Sequence, residues 1–525
     1  MFATVAAVGA ATILAASAAL PSVWWEPLHF DEAVTLEFST RSVPAVLEDI
    51  FVERGGSPLF FLVEHATLQW PGGIEGLRLP SVISFLLALA AAAAVAGELC
   101  GRRATWLLPP LLALAPLAVG LATFARMYAL FLALLLAAVW LLLRAARTEE
   151  RERWIIAGAC SGLLVYVHPT APLYIVLAVA TAFLCGRRPF RRALGEAWAG
   201  LAALALVVLP YGYALAVLAQ RYEVTSSTSS RLEGAGGRPV LVESVLALTP
   251  GGWAGAALFG ILALAGGASI LREDRATGIA FAAWLAVPIA FFSLVPADTR
   301  FFPRYVLPVL PFFLLLVVAG CLLLGRLVRR PSLVASLLVA GLTAWQAVEV
   351  VDRLRGLREL RLDSVVVAVE RLENAVVFSS TGSTPGGRPA ELVDQYVVLE
   401  LPGVGYVEEL PAVDPRYEPD VVELGAEEVR AFLSADGPPG QGAWIFADKP
   451  HRVLLGERRL REQTGIVVVR LSPGLLLVHS AAPEDRARLV DQAIAVREAW
   501  LGPGGRERWA RTILAVDRMA TDASR

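Results

Sequence analysis

The sequence predicts a polytopic α-helical membrane protein of about eleven transmembrane helices, followed by a small C-terminal α/β domain. Three observations carry this. Of 525 residues, 56% are hydrophobic and only 18% are charged, where a soluble chain carries about 25% charged. The mean hydropathy is +0.60, and the apolar residues fall in long blocks rather than scattered through the chain. After about residue 351 the blocks stop, and short apolar runs alternate with charged ones. The net charge of −2 says nothing about nucleic acid, and none is expected as a partner.

A bilayer span needs about 20 mostly apolar residues. Eleven runs approach that length: 3–21, 79–97, 104–121, 124–143, 154–170, 171–185, 194–219, 252–271, 276–295, 305–325 and 331–350. The first lacks a basic leader segment. Its aromatic flank "SVWWEPL" reads as the interfacial belt of a retained helix, anchored by Trp24 and Trp25. The loop 22–78 is long and holds two amphipathic segments, Val43–Glu53 and Pro58–Trp70, predicted to lie along the membrane surface. The fifth and sixth runs are short and meet at "VHPTAP", where two prolines impose a tight re-entry.

With a cytoplasmic N-terminus, the inner loops are 98–103, 144–153, 186–193, 272–275 and 326–330. These short stretches hold fifteen arginines, in clusters such as "GRRPFRR" and "GRLVRR". The outer loops are longer and poorer in arginine, so the positive-inside rule places the N-terminus in and, with eleven spans, the C-terminus out. The expected location is the plasma membrane. The four cysteines lie in or beside apolar runs, with neither disulfide nor zinc spacing.

The division falls at 1–350 for the membrane domain and 351–525 for the outer one. In the latter, "NAVVFSS", "QYVVLEL", "GAWIFAD", "TGIVVVRL" and "GLLLVHS" read as strands bounded by Gly, Pro and Asp. "GAEEVRAFLSAD" reads as helix. His451 and His479 show no partner spacing.

The predicted topology sorts the polar residues. His29, Asp31, Glu32, His65, Arg126, His168, Arg300 and Arg304 all map to the outer end. Arg126 in "FARMYAL" and Arg300 and Arg304 in "DTRFFPRYVLP" run against the charge bias. An ionised side chain costs roughly 2.5–3.5 kcal/mol at the centre of a spanning helix, so such charges face a cavity, a partner or a ligand. A structural ion-pair network is the plain explanation. Sugar transfer from a lipid-linked phosphosugar fits the whole set better. Its leaving group is already good, so the reaction needs a base for the attacking hydroxyl and fixed positive charge for the departing phosphate.

These residues resemble a known family. "FDEAVT", "GGSPLFFLVEH", "GLRLPSVI", "ARMYAL", "VHPTAPL" and "PRYVLPVLP" follow one another as in GT-C fold glycosyltransferases of the protein-O-mannosyltransferase and aminoarabinose-transferase type (glycosyltransferase family 39). The resemblance spans about residues 20–315. It implies an inverting enzyme that moves a sugar from a polyprenyl-phosphate donor to a hydroxyl of a protein, lipid or envelope glycan. It assigns the base to Asp31 and a positioning acid to Glu32. It puts Arg126, Tyr128, Arg304 and Tyr305 at the lipid phosphate or its sugar, and His168 and Arg300 join this donor-binding set by position. The chain departs from the family at "GSPLF", where Ser57 stands at a histidine-like position.

His65 is expected to be structural. A metal at His29, Asp31 and Glu32 is conceivable but not indicated, and no other cofactor is implied. Two readings of other kinds stay open. One is a transporter or flippase for a lipid-linked glycan, against which stand nearly charge-free helix centres and the lack of repeats. The other is a non-catalytic envelope-assembly scaffold of the same fold. Within enzymes, a ligase using a diphosphate-linked donor is the runner-up.

Overall fold

The structure is a computed structural model. It describes residues 2–25, 32, 35, 38–39, 41–53, 56–69, 76–148, 150–186, 190–214, 216, 240–294, 303–358, 375–379, 443–447, 466–472 and 475–480. The chain divides into two compact units, one of Met1–Trp24 and Val34–Leu354, the other of Trp25–Ala33 and Arg355–Arg525.

The first unit is helical. It comprises α1 (Phe2–Trp25), a short α2 (Val43–Val46) that continues as a π-turn over Leu47–Glu53, α3 (Leu59–Leu68), α4 (Leu79–Cys100), α5 (Arg102–Ala113) and α6 (Pro116–Ala122). There follow α7 (Tyr128–Arg147), α8 (Arg151–Leu163), α9 (Ala171–Cys185), α10 (Phe190–Val208), α11 (Val240–Leu248), α12 (Gly252–Glu273) and α13 (Arg275–Leu294). The last two are α14 (Leu310–Leu327), led in by a 3₁₀ segment Pro303–Val309, and α15 (Pro331–Arg358).

Among the described residues, six helices are long and apolar enough to cross a membrane, namely α4, α7, α12, α13, α14 with its lead-in, and α15. The chain is a multi-pass helical membrane protein. A seventh span arises if α5 and α6, bent by 66°, count as one. Pro116 opens α6 and holds Ala115 extended at φ −61°, ψ 121°, as a residue before proline requires.

The other expected spans correspond to α1, α8, α9 and α10, whose described apolar stretches are shorter than those of the six. At "VHPTAP" the prolines act earlier than expected. α8 ends at Leu163, passes through a 3₁₀ turn (Leu164–Tyr166) and restarts only at Ala171. The two surface segments also differ in detail. Val43–Glu53 is mostly π-turn, and Pro58–Trp70 shortens to α3. α11 has no counterpart among the expected elements.

Lipid-immersed helices gain little from hydrophobic contrast, so close packing must hold them together. Glycine supplies it at two crossings. Between α8 and α10, a Cβ at Gly158 would fall on the Gly200 carbonyl oxygen. Between α12 and α14, a Cβ at Gly266 would fall on the Leu316 carbonyl oxygen, and one at Gly320 on that of Leu262. α14 is the most enclosed span, with 89% of its apolar stretch buried against 28% for α12. An aromatic stack crosses the core beside it. Trp284 lies 3.9 Å from Phe312 and parallel to it, stacks on Tyr174, and donates Nε1–H to Thr181 Oγ1 at 2.8 Å.

One end of this unit is tied by ion pairs. Glu98, near the end of α4, accepts from Arg144 and Arg147 of α7. Glu273 of α12 pairs with Arg326 of α14. The chain directions place the N-termini of α4, α7, α9 and α14 at the opposite end.

In the second unit the described residues form a four-stranded mixed sheet: β1 (Ala375–Ser379), β2 (Ala443–Ala447), β3 (Ile466–Ser472) and β4 (Leu475–Ser480), in the order β1-β2-β4-β3. β1 and β2 are parallel; β4 is antiparallel to both β2 and β3. Four of the five predicted strand segments are these strands. "QYVVLEL" and the helix "GAEEVRAFLSAD" lie outside the described residues.

Candidate active site

The helix N-termini opposite the ion-paired end carry exposed backbone N–H groups and partial positive charge, an intrinsic preference for anions. The sequence places its unusual cations there. Arg126 sits in the non-helical link "TFAR" ahead of α7, and Arg304 in the 3₁₀ lead-in to α14; both are half-buried.

Between them lies His168, which is 4% exposed. Its ring is enclosed by Tyr128 at 5.5 Å, Phe131 at 5.2 Å and Tyr305 at 6.1 Å between centroids. The Arg304 guanidinium stands 5.5 Å from the Tyr128 ring centroid. Arg126 donates to Thr35 Oγ1 at 3.4 Å, lies 6.0 Å from the Phe61 ring, and its carbonyl accepts from Ser81 at 3.3 Å. Tyr128, Phe131, His168, Thr170, Arg304, Tyr305, Leu307 and Pro308 line a narrow cleft.

Charge and burial act together on His168, which lies between helices and outside the spanning segments. Burial, then the positive charges of Arg126 and Arg304, push its pKa down to about 3. A buried imidazole between two guanidiniums stays neutral and leaves the cationic work to the arginines. Tyr305 is fixed from behind, because Tyr174 donates its hydroxyl to the Tyr305 carbonyl at 2.6 Å.

Of the residues predicted from sequence, the fold thus brings together Arg126, Tyr128, His168, Arg304 and Tyr305. Glu32 is buried, at 1% exposure, and falls in the second unit. Asp31, His29 and Arg300 lie outside the described residues. Ser57, at the histidine-like position, is buried, donates to the Val165 carbonyl at 2.8 Å and meets the Tyr211 hydroxyl at 3.1 Å. It braces the turn that precedes His168. His65 is half-buried and bonds the Ser39 carbonyl and Gln69, a structural placement. Among the described residues no three of His, Cys, Asp and Glu converge as metal ligands do.

Sequence reasoning passed over Phe131, Thr170, Leu307 and Pro308, which line the cleft, and the fully buried Glu64. For Glu64 a signal existed. It follows Phe60 and Phe61 by four and three residues, so one helix face carries all three inward.

Comparison with known proteins bears on the fold. Residues 65–213, under a third of the chain, match the family model described as dolichyl-phosphate-mannose-protein mannosyltransferase. Arg126, Tyr128 and His168 fall inside that segment. No curated protein sequence matches the chain. Two crystal structures of ArnT from Cupriavidus metallidurans are similar in fold. The apo form superposes with a TM-score of 0.54 at 14% identity, covering 90% of this chain and 97% of that one. The form bound to undecaprenyl phosphate gives 0.54 at 16%, covering 91% and 98%. The chain therefore has the GT-C fold of membrane glycosyltransferases, and the resemblance to the protein-O-mannosyltransferase and aminoarabinose-transferase type read from its motifs holds.

Proposed function

We propose that the protein is an inverting glycosyltransferase that moves a sugar from a polyprenyl-phosphate donor to a hydroxyl acceptor at the outer face of the plasma membrane. The observation that carries the reading is the meeting of Arg126, Arg304 and a neutral His168 at the N-terminal ends of three helices, beside Tyr128 and Tyr305. That arrangement suits a phosphate monoanion or dianion and has no use for a cationic ligand. The bound undecaprenyl phosphate of the ArnT relative supports the same class of donor.

In this reading Asp31 takes the proton of the acceptor hydroxyl as its oxygen attacks the anomeric carbon. The bond from that carbon to the phosphate oxygen breaks on the opposite side, which inverts the configuration. The electron pair leaves on the polyprenyl phosphate, where Arg126 and Arg304 hold it. Glu32 positions the acceptor or the sugar, and Arg300 adds to the positive field. Neither the sugar, hexose or pentose, nor the acceptor (protein, lipid or envelope glycan) is fixed by these groups. With an outer C-terminus, a role in acceptor binding suits residues 351–525.

Orientation has its own support. The arginines of the α4–α7 and α12–α14 ion pairs and of "GRLVRR" gather at the end opposite the site, as cytoplasmic ends require. An alkaline-phosphatase fusion at Ala390 should be active; an inactive one inverts the topology. For the chemistry, purified protein is given polyprenyl-phosphate sugar and crude envelope acceptor. Asp31→Asn should lose about 10²–10⁴-fold in transfer, the usual contribution of a general base. Equal transfer by the variant removes Asp31 from that role.

A further inference from the structure

We infer that the two adjoining turns α12–α13 and α14–α15 form a docking site for the headgroup of an anionic phospholipid. One ion pair joins the turns, Glu273 at the end of α12 with Arg326 near the end of α14. Residues 272–275 and 326–330 together carry five arginines and two acids. Both acids are engaged within the fold. Glu273 holds Arg326. Asp274 accepts from the backbone N–H groups of Ala276 and Thr277 at 3.1 and 3.2 Å, and from the Thr277 hydroxyl at 2.7 Å. Arg272, Arg275, Arg329 and Arg330 are exposed and make no ion pair among the described residues.

A bias toward positive charge at this end would be met by arginine anywhere in the turns, yet two of them stand where the local backbone disfavours them. Arg329 occupies the left-handed region, at φ 59°, where the Arg330 N–H closes α14 on the Gly325 carbonyl at 3.0 Å. Glycine is the usual residue at such a helix end, because a Cβ strains the left-handed conformation. Arg275 begins α13, where the helix dipole opposes a cation. The surroundings point to the occupant. α12, α13 and α15 have only 28%, 33% and 33% of their apolar stretches buried, so the turns end helices that face lipid. Leu327 and Val328, at the tip of the second turn, are 73% and 63% exposed, which suits the boundary between headgroups and acyl chains. A soluble anion satisfies guanidiniums but leaves these two side chains in water. A phospholipid supplies the phosphate oxygens and the apolar cover together.

The test uses the full-length protein in detergent, titrated with phosphatidylglycerol or with phosphatidylcholine of the same acyl chains. Native mass spectrometry reads the first bound lipid. Wild type should bind phosphatidylglycerol more tightly than phosphatidylcholine. Arg272→Gln, Arg275→Gln, Arg329→Gln and Arg330→Gln should each weaken phosphatidylglycerol binding about fivefold, the effect of one basic residue at a lipid surface, and leave phosphatidylcholine binding unchanged. Arg329→Gly probes the strain as well, and should raise the melting temperature while losing the same fivefold. Arg102→Gln combined with Arg103→Gln, exposed at the start of α5, should leave the affinity as it is. Equal affinity of wild type for the two lipids overturns the inference, as do four single variants that all bind like wild type. A loss as large in the Arg102 and Arg103 variant would show diffuse charge attraction and no site. Glycerol phosphate that displaces the lipid at equal concentration would make the turns an anion site, and would overturn lipid docking.

Discussion

Replacing Arg304 by glutamine separates what this residue does for the fold from what it does for a ligand. One contact that serves the fold is with the Tyr128 ring, 5.5 Å from the guanidinium. At a half-buried site such a cation–π contact contributes about 0.5–1 kcal/mol. For a bound phosphate, a charge-assisted hydrogen bond contributes roughly 1.5–3 kcal/mol, which is roughly 10- to 150-fold in dissociation constant. The ligand effect exceeds that of this contact. Arg304→Gln should bind undecaprenyl phosphate weakly, by roughly that factor, while its detergent melting temperature falls only slightly. Arg304→Lys keeps the charge but loses the planar fork, and should fall between the two. Binding is read by thermal shift over a titration of the lipid, or by native mass spectrometry. If Arg304→Gln binds like wild type while its stability drops, Arg304 is a structural cation and the proposed site is wrong.

Three other outcomes follow from the geometry. Gly266→Ile places side-chain atoms on the Leu316 carbonyl, and should lower stability by more than the 1–3 kcal/mol typical of overpacking; unchanged thermal unfolding would show that α12 and α14 are not in contact. Trp284→Ala removes the stack on Phe312 and the bond to Thr181 and should cost about 3–5 kcal/mol, measured by reversible unfolding in mixed micelles. For pH, His168 titrates far below its ordinary value of 6.5 in the folded protein, at about 3. Its neutral state therefore adds stability in full above 6.5, and that contribution is lost as pH falls toward 3, at up to about 1.4 kcal/mol per unit. Melting curves from pH 7 to pH 4.5 should fall more steeply for wild type than for His168→Gln, and parallel curves would contradict the burial and charge argument.

The parts of this architecture readable in the sequence were those that a single physical rule enforces. Charge is costly in a bilayer, so Arg126 and Arg304 stood out in otherwise apolar surroundings. Charged and apolar alternation marked the strands of the second unit. Proline marked the break around 168, whereas the bend at Pro116 falls inside the run 104–121, which reads as one span. Apolar run length located α8, α9 and α10 but not their ends, because alanine-rich sequence is equally apolar in a short buried helix and in a long one. Thr170 escaped notice because its hydrogen bond to His168, two residues away, leaves no trace in hydropathy. Phe131, Leu307 and Pro308 escaped for a related reason, being apolar residues among apolar residues.

The enclosure of α14 bears on how the molecule is assembled and how freely it can vary. The most apolar of the described spans, with a mean hydropathy of 2.8, ends up surrounded by protein rather than by lipid. Entry into the bilayer is easy for such a helix, but leaving lipid for protein brings it no solvent release. Only fit draws it in: the bare glycine face at residue 320 and the flat ring of Phe312 against Trp284. Substitutions along α14 should therefore be judged by shape and not by oiliness. An equally apolar residue of the wrong outline would leave the helix inserted, and the bundle around it unformed.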